Sequence, residues 1–176
     1  MSAIVIDTNV LLVADGCHEE MLGACIVECL NRLESAKKNE AIVVDRQFFI
    51  LGEYQKKLKT YRRSSGPWYE FVKHILQNMK SNADRVSLVT LTPRNAAKTD
   101  FNEFPADENL RAAFDPADRK FVAAANAHPE KPPIVESADS KWLGWEADLK
   151  QNGIRLEILC RDKLEEFRRR KTCVAE

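Results

Sequence analysis

Apolar positions along this chain fall into two kinds of block. Short unbroken runs such as Ala3-Ile4-Val5-Ile6 read as strands buried on both faces, while longer stretches with an apolar residue every three or four positions read as amphipathic helices. The first strand stops at Asp7-Thr8-Asn9. Leu22, Ile26, Leu30 and Leu33 then mark a helix ending at Lys37-Lys38-Asn39, and a strand is expected over residues 41–44. Asp45 is placed to cap a second helix that runs to about Thr60, with Ile50, Leu51, Tyr54 and Leu58 as its core stripe. After the break at Ser64-Ser65-Gly66-Pro67, a third helix carries Trp68, Phe71, Val72, Ile75, Leu76 and Met79. Residues 86–91 form the next expected strand, and residues 92–109, with Pro93 and Pro105, an irregular stretch. Asp115-Pro116 opens an alanine-rich helix to about His128, and Pro132-Pro133 leads into a short strand at Ile134-Val135. Residues 137–140 open a helix with Trp142, Trp145 and Leu149, which Asn152-Gly153 ends. A strand over residues 154–159 and a last helix complete the order.

Strands that alternate with helices predict βαβ units, hence a parallel sheet of four to five strands covered by helices on both faces. No internal repeat or long linker divides the chain, so one α/β domain is expected over residues 1–167, with 168–176 as a basic, frayed tail. A length of 176 residues suits this, since a chain of roughly 150 already buries about 70% of its unfolded surface. Its 27 basic and 27 acidic residues cancel, so any polyanion must be met by local clusters of charge. The five cysteines include no C-x-x-C pair and have no histidine at ligand spacing; they read as reduced thiols of a cytoplasmic protein. No apolar run approaches a membrane span, and no basic segment precedes the apolar start as in a signal peptide.

In open α/β sheets, sites form beyond the carboxyl ends of the strands. That rule selects Asp7, directly after the first strand, and Asp139, just past Ile134-Val135; the two share a crevice if their strands are neighbours. Asp118 lies in the first turn expected after Pro116, and Glu53 at the border of an apolar stripe. Each also has a plain structural reading. Asp115 and Asp118 suit a helix start, Asp139 suits a cap, and Glu53 suits an ion pair with Lys57 one turn on. Asp7 is harder to explain that way, because a carboxylate that ends a buried strand needs a partner.

Taken together the motifs are more specific. Asp7-Thr8-Asn9 after a first strand, the helical pair Glu53-Tyr54, the segment from Asp118 to Ala125, and Ser137-Ala138-Asp139 after a later strand occur in one order. This order resembles the PIN domain family of metal-dependent nucleases over nearly the whole chain, and the single small domain is similar to toxin-type or defence-associated members. The resemblance implies a three-layer α/β/α fold and an acidic quartet of Asp7, Glu53, Asp118 and Asp139. It also implies that Asn9 and Ser137 orient a metal-bound water or a carboxylate. Asp115 is an alternative third acid and Glu136 a rival for the fourth; as a strand residue alternating with Val135, Glu136 reaches the site only if its strand ends early.

Carboxylates about 4 Å apart repel by roughly 4 kcal/mol at an effective dielectric of 20, so four together call for cations or protons. All-oxygen ligands favour Mg²⁺ or Mn²⁺, as one ion or two, over Zn²⁺. The implied activity is endoribonuclease hydrolysis of RNA, with DNA as the other polymer and a non-catalytic RNA- or protein-binding module as the other class. Lys56, Lys57, Lys59, Arg62 and Arg63, with Tyr61 among them, are the candidate nucleic-acid contacts, although a solvated helix end explains them equally. Arg119 and Lys120 are a second such pair. An antitoxin or regulatory protein and a second copy of the chain are the protein partners implied, with no membrane. P-loop, G-x-G-x-x-G and G-x-S-x-G signatures are absent, and Asn9 stands where an aspartyl phosphatase needs a second acid.

Overall fold

A computed structural model describes residues 2–21 and 23–173, with side chains to Arg170. Leu22, expected in the first apolar stripe, and the side chains of Lys171 and Cys173 lie outside the described residues. Five strands form one parallel sheet: β1 (Ser2–Ile6), β2 (Glu40–Asp45), β3 (Val86–Val89), β4 (Ile134–Glu136) and β5 (Leu156–Ile158), in the order β3-β2-β1-β4-β5. Among the described residues eight helices flank it in a three-layer α/β/α arrangement: α1 (Thr8–Ala14), α2 (Ala24–Asn39), α3 (Phe49–Thr60), α4 (Pro67–Asn78), α5 (Glu108–Ala113), α6 (Arg119–Ala127), α7 (Lys141–Gln151) and α8 (Arg161–Cys173). None of them, among the described residues, is long and apolar enough to cross a membrane.

β1 is buried from Ala3 to Ile6, as its unbroken apolar run predicts for a central parallel strand. It pairs with β2 on one side and β4 on the other. The chain moves outward from β1 through β2 to β3, then returns to β1's other edge for β4 and β5. The strand order therefore reverses between β1 and β4, where the loops leave in opposite directions and a crevice opens. Backbone bonds from Val5 N to the Pro133 carbonyl (3.0 Å) and from Asp7 N to the Val135 carbonyl (2.9 Å) lock the two strands at that point. α6 packs across β1, β2 and β4, α3 reaches β2, and α7 covers β5.

Several expectations are corrected. α1 is a separate helix that follows Asp7 at once; its Val10-Leu11-Leu12-Val13 core is buried throughout, so no one-sided stripe marked it. α3 begins at Phe49, not after Asp45, because Asp45 is the last residue of β2. Asp45 still caps α3 from a distance, accepting from Phe49 N and Ile50 N at 2.8 Å each, while Phe48 turns the chain in the left-handed region at φ 65°. Residues 115–118 form a turn, and α6 starts only at Arg119. Residues 168–173 continue α8, so the helix runs past 167, and the rest of the expected tail, residues 174–176, lies outside the described residues. The irregular stretch after β3 is held by Arg111, which bonds Asp100 and the carbonyls of Phe101, Phe104 and Pro105. Cys25, at the start of α2, and Cys160, just before α8, are joined as a disulfide with Cα atoms 5.6 Å apart, where reduced thiols were expected.

Candidate functional site: an acidic cavity at the strand reversal

A cavity of about 630 Å³ opens where β1 and β4 end. Asp7, Glu53, Asp118 and Asp139 all line it, together with Thr8, Asn9, Lys56, Lys57 and others. Four segments of the chain thus deliver the expected acids to one place. Asp7 directly follows β1; α3 presents Glu53; the turn before α6 presents Asp118; the loop after β4 presents Asp139.

Local structure explains how each acid is held. Asp7 is the N-cap of α1 and accepts from Asn9 N at 2.8 Å. Tyr54, fully buried, donates its hydroxyl to the Ile6 carbonyl and so pins α3 to the end of β1, one residue from Asp7. Glu53, next to Tyr54, accepts the Thr8 hydroxyl on Oε1 at 2.5 Å and pairs through Oε2 with Lys120 Nζ at 2.7 Å. Asp118 occupies the N-cap position of α6 but makes no capping hydrogen bond, which leaves its carboxylate to the cavity.

Glu136 also belongs to this centre. It is the last residue of β4 and fully buried, and its Oε1 accepts from Ala138 N at 2.8 Å, Asp139 N at 2.6 Å and Asn9 Nδ2 at 3.4 Å. Its Oε2 has no hydrogen-bond donor, and the Asp7 carboxyl lies against the same side chain. β4 does not end early: it runs one residue further than expected and includes Glu136, which is buried beneath the cavity and not among its lining residues, while Asp139 lies on the wall.

Electrostatics follow from this crowding. Burial first, and then Glu136, hold the Asp7 carboxyl well above the usual carboxylate range. Burial also raises Glu136, so both members of this buried pair resist ionisation. Burial pushes Asp118 up to about 7, with the charges of Asp7, Asp115 and Asp139 adding to the effect and Lys120 opposing it.

Other expected site residues are placed elsewhere. Asp115 turns away to Lys141 Nζ at 2.9 Å and accepts from Ala117 N, so it acts in the turn and not among the cavity's lining residues. Ser137 is buried beside the Cys29 thiol and does not line the cavity. Arg119 is spent inside the fold, donating to the carbonyls of Arg111 and Phe114 with Asp100 nearby at 3.5 Å, which removes it as a phosphate contact. Lys120 is buried on Glu53 and the Ala117 carbonyl, not exposed for a backbone phosphate. Lys56 and Lys57 are exposed at the cavity, whereas Lys59 and Arg63 line a separate groove between α3 and α4. Arg63 there pairs with Asp15 at 2.8 Å, and Arg62 is exposed in the turn after α3. The reading of Glu53 as an ion-pair partner named Lys57; its actual partner is Lys120, on another helix.

The residues fit a hard divalent ion in chemistry. All the acids offer oxygen, one buried carboxylate oxygen has no donor, and burial leaves the cluster short of positive charge. Among the described residues no three such side chains already stand as ligands of one point, and Glu53 is held aside by Lys120. No protein-family model, curated protein or solved structure matches the chain.

Proposed function

We propose that this chain is a divalent-metal-dependent phosphodiester hydrolase, an endoribonuclease akin to the PIN domain family that its motifs resemble. The observation that carries this reading is the convergence of Asp7, Glu53, Asp118 and Asp139 on one open cavity at the strand reversal. Stability gives no reason for it: burying carboxyl groups together costs free energy unless cations or protons compensate.

Asp7, Asp118 and Asp139 would hold Mg²⁺ or Mn²⁺, which supplies a Lewis acid for the phosphoryl oxygen and neutralises developing charge. The chain's own residues do the rest. Asn9 holds the buried Glu136 through its amide, and Glu136 in turn bonds the backbone of Ala138 and Asp139, fixing the acid on the wall. The open cavity, rimmed by Lys56 and Lys57, admits a polyanionic strand and draws its phosphates toward the acids. Burial holds the Asp118 carboxyl up near 7, a cost that a cation bound there would relieve.

One observation favours a second reading, a non-catalytic RNA-binding module: a lysine already neutralises one of the four acids. A single experiment separates the two. Labelled single-stranded RNA and DNA are incubated with Mn²⁺ or with chelator, beside Asp118→Asn. Metal-dependent cutting of RNA that falls at least about 100-fold in the variant is expected, because losing metal-based stabilisation of several kcal/mol has that effect. Binding of RNA without cutting would favour the module, and equal cutting by the variant would remove the proposed mechanism.

A further inference from the structure

Lys120 is a basic side chain buried among these acids. It follows Asp118 by two residues in α6, yet only 9% of its side chain is exposed. Its ammonium lies 2.7 Å from Glu53 Oε2, donates to the Ala117 carbonyl and sits 4.5 Å from the Phe121 ring centroid. Two of its three N–H donors are thereby engaged. Glu53's other oxygen accepts from Thr8, so both Glu53 oxygens are occupied by groups of this chain. On the other side, Glu136 is fully buried with Oε2 lacking a donor, and Asp118 makes no capping bond. The cavity is therefore divided by charge: Glu53 is ion-paired with Lys120, whereas among the described residues Asp7, Asp118, Asp139 and Glu136 make no ion pair and Lys120 acts on Asp118 only at longer range.

We propose that Lys120 is a built-in counter-ion of Glu53 that takes the place of a second divalent ion, so that the cavity binds one Mg²⁺ or Mn²⁺ through Asp7, Asp118 and Asp139. This rests on the metal-dependent reading above and narrows it, because it removes Glu53 from the ligand set. A second ion at Glu53 would have to break a largely buried ion pair and leave the ammonium beside a dication, at a cost in both desolvation and Coulomb repulsion. Lys120 is thus a positioning residue acting through Glu53: it holds that carboxylate against Thr8 and fixes the number of ions.

The test is Mn²⁺ binding to metal-stripped protein, counted by isothermal titration and by the loss of the free-ion paramagnetic resonance signal, with thermal melting as a check on folding. Wild type and Lys120→Arg are expected to take one ion each, and Lys120→Met two. The double variant Lys120→Met/Glu53→Gln should return to one. Glu53→Gln alone should keep one ion with affinity within about 3-fold, whereas Asp118→Asn, a ligand, should lose at least about 10-fold. Two ions in the wild type, one ion in a folded Lys120→Met, or a 10-fold loss in Glu53→Gln would each overturn the proposal. If Lys120→Met does not fold, the wild-type count and the Glu53→Gln affinity still decide it. No Mn²⁺ uptake by the folded wild type would overturn the metal-dependent function itself.

Discussion

Single side chains in the cavity are charged against their own stability. Asp118 is raised to about 7 mainly by burial, while an exposed aspartate ionises near 3.8. The folded protein therefore keeps a proton there that the unfolded chain releases. This contribution is fully present below about pH 4, is lost as pH rises through 7, and amounts to on the order of 2–4 kcal/mol. In chelator, Asp118→Asn should melt close to wild type below about pH 4 and progressively above it as pH rises to about 7; a constant difference across that range would show that Asp118 is not perturbed. Asp7 makes a related case. Asparagine caps a helix as well as aspartate does, and Asp7→Asn removes the charge pressed against Glu136. The variant should lose metal-dependent cutting yet melt about 2–8 °C higher in chelator at pH 8. A lower melting temperature would mean that the carboxylate itself is needed for folding.

At the level of helices and strands, the fit of α3 to β1 sets where Glu53 stands. Tyr54 spans that contact with one hydrogen bond to the Ile6 carbonyl. Tyr54→Phe keeps the buried ring and removes the tie, at a cost of about 1 kcal/mol in stability. Cutting should fall by more than that loss explains, since Glu53 then drifts from Thr8 and Lys120; unchanged cutting at saturating metal would show that α3 needs no such anchor. How far these elements could be read beforehand varied with their surroundings. β1 and the alanine-rich α6 announced themselves by continuous apolar character, and the strand-end rule found Asp7 and Asp139. α1 was hidden because burial on every side erases helical periodicity, and the start of α3 because a left-handed Phe48 leaves no trace in a hydrophobic pattern. Thr8 stood in plain view inside Asp7-Thr8-Asn9, but its bond to Glu53 depends on a packing that adjacent letters do not encode. The same is true of Lys120, whose partner lies on a different helix. Glu136 needed the length of β4 to one residue, which is finer than a strand's sequence signal resolves.

Across the molecule, the chain's early and late parts meet at α2 and α8, away from the β1–β4 seam on which the acids converge. Leu164 and Phe167 of α8 are buried, the Glu28 carboxylate of α2 accepts from Cys160 N at 3.2 Å, and the Cys25–Cys160 bond joins the two helices covalently. The bridge closes a loop of 135 residues, and cross-linking so long a loop removes conformational entropy from the unfolded chain worth on the order of 5 kcal/mol at most. Cys29, one turn along α2, does not compete for either sulfur: it is buried, and burial pushes its thiol up to about 12, far from reactive thiolate. The melting temperature should therefore fall by about 5–15 °C when reductant is added, and Cys25→Ser should melt where the reduced wild type does, with or without reductant. If reductant changes nothing and Cys25→Ser melts with the wild type, the two sulfurs stand reduced, and α8 is held by noncovalent contacts: the packing of Leu164 and Phe167, the Glu28 bond and the Arg161–Glu146 ion pair to α7.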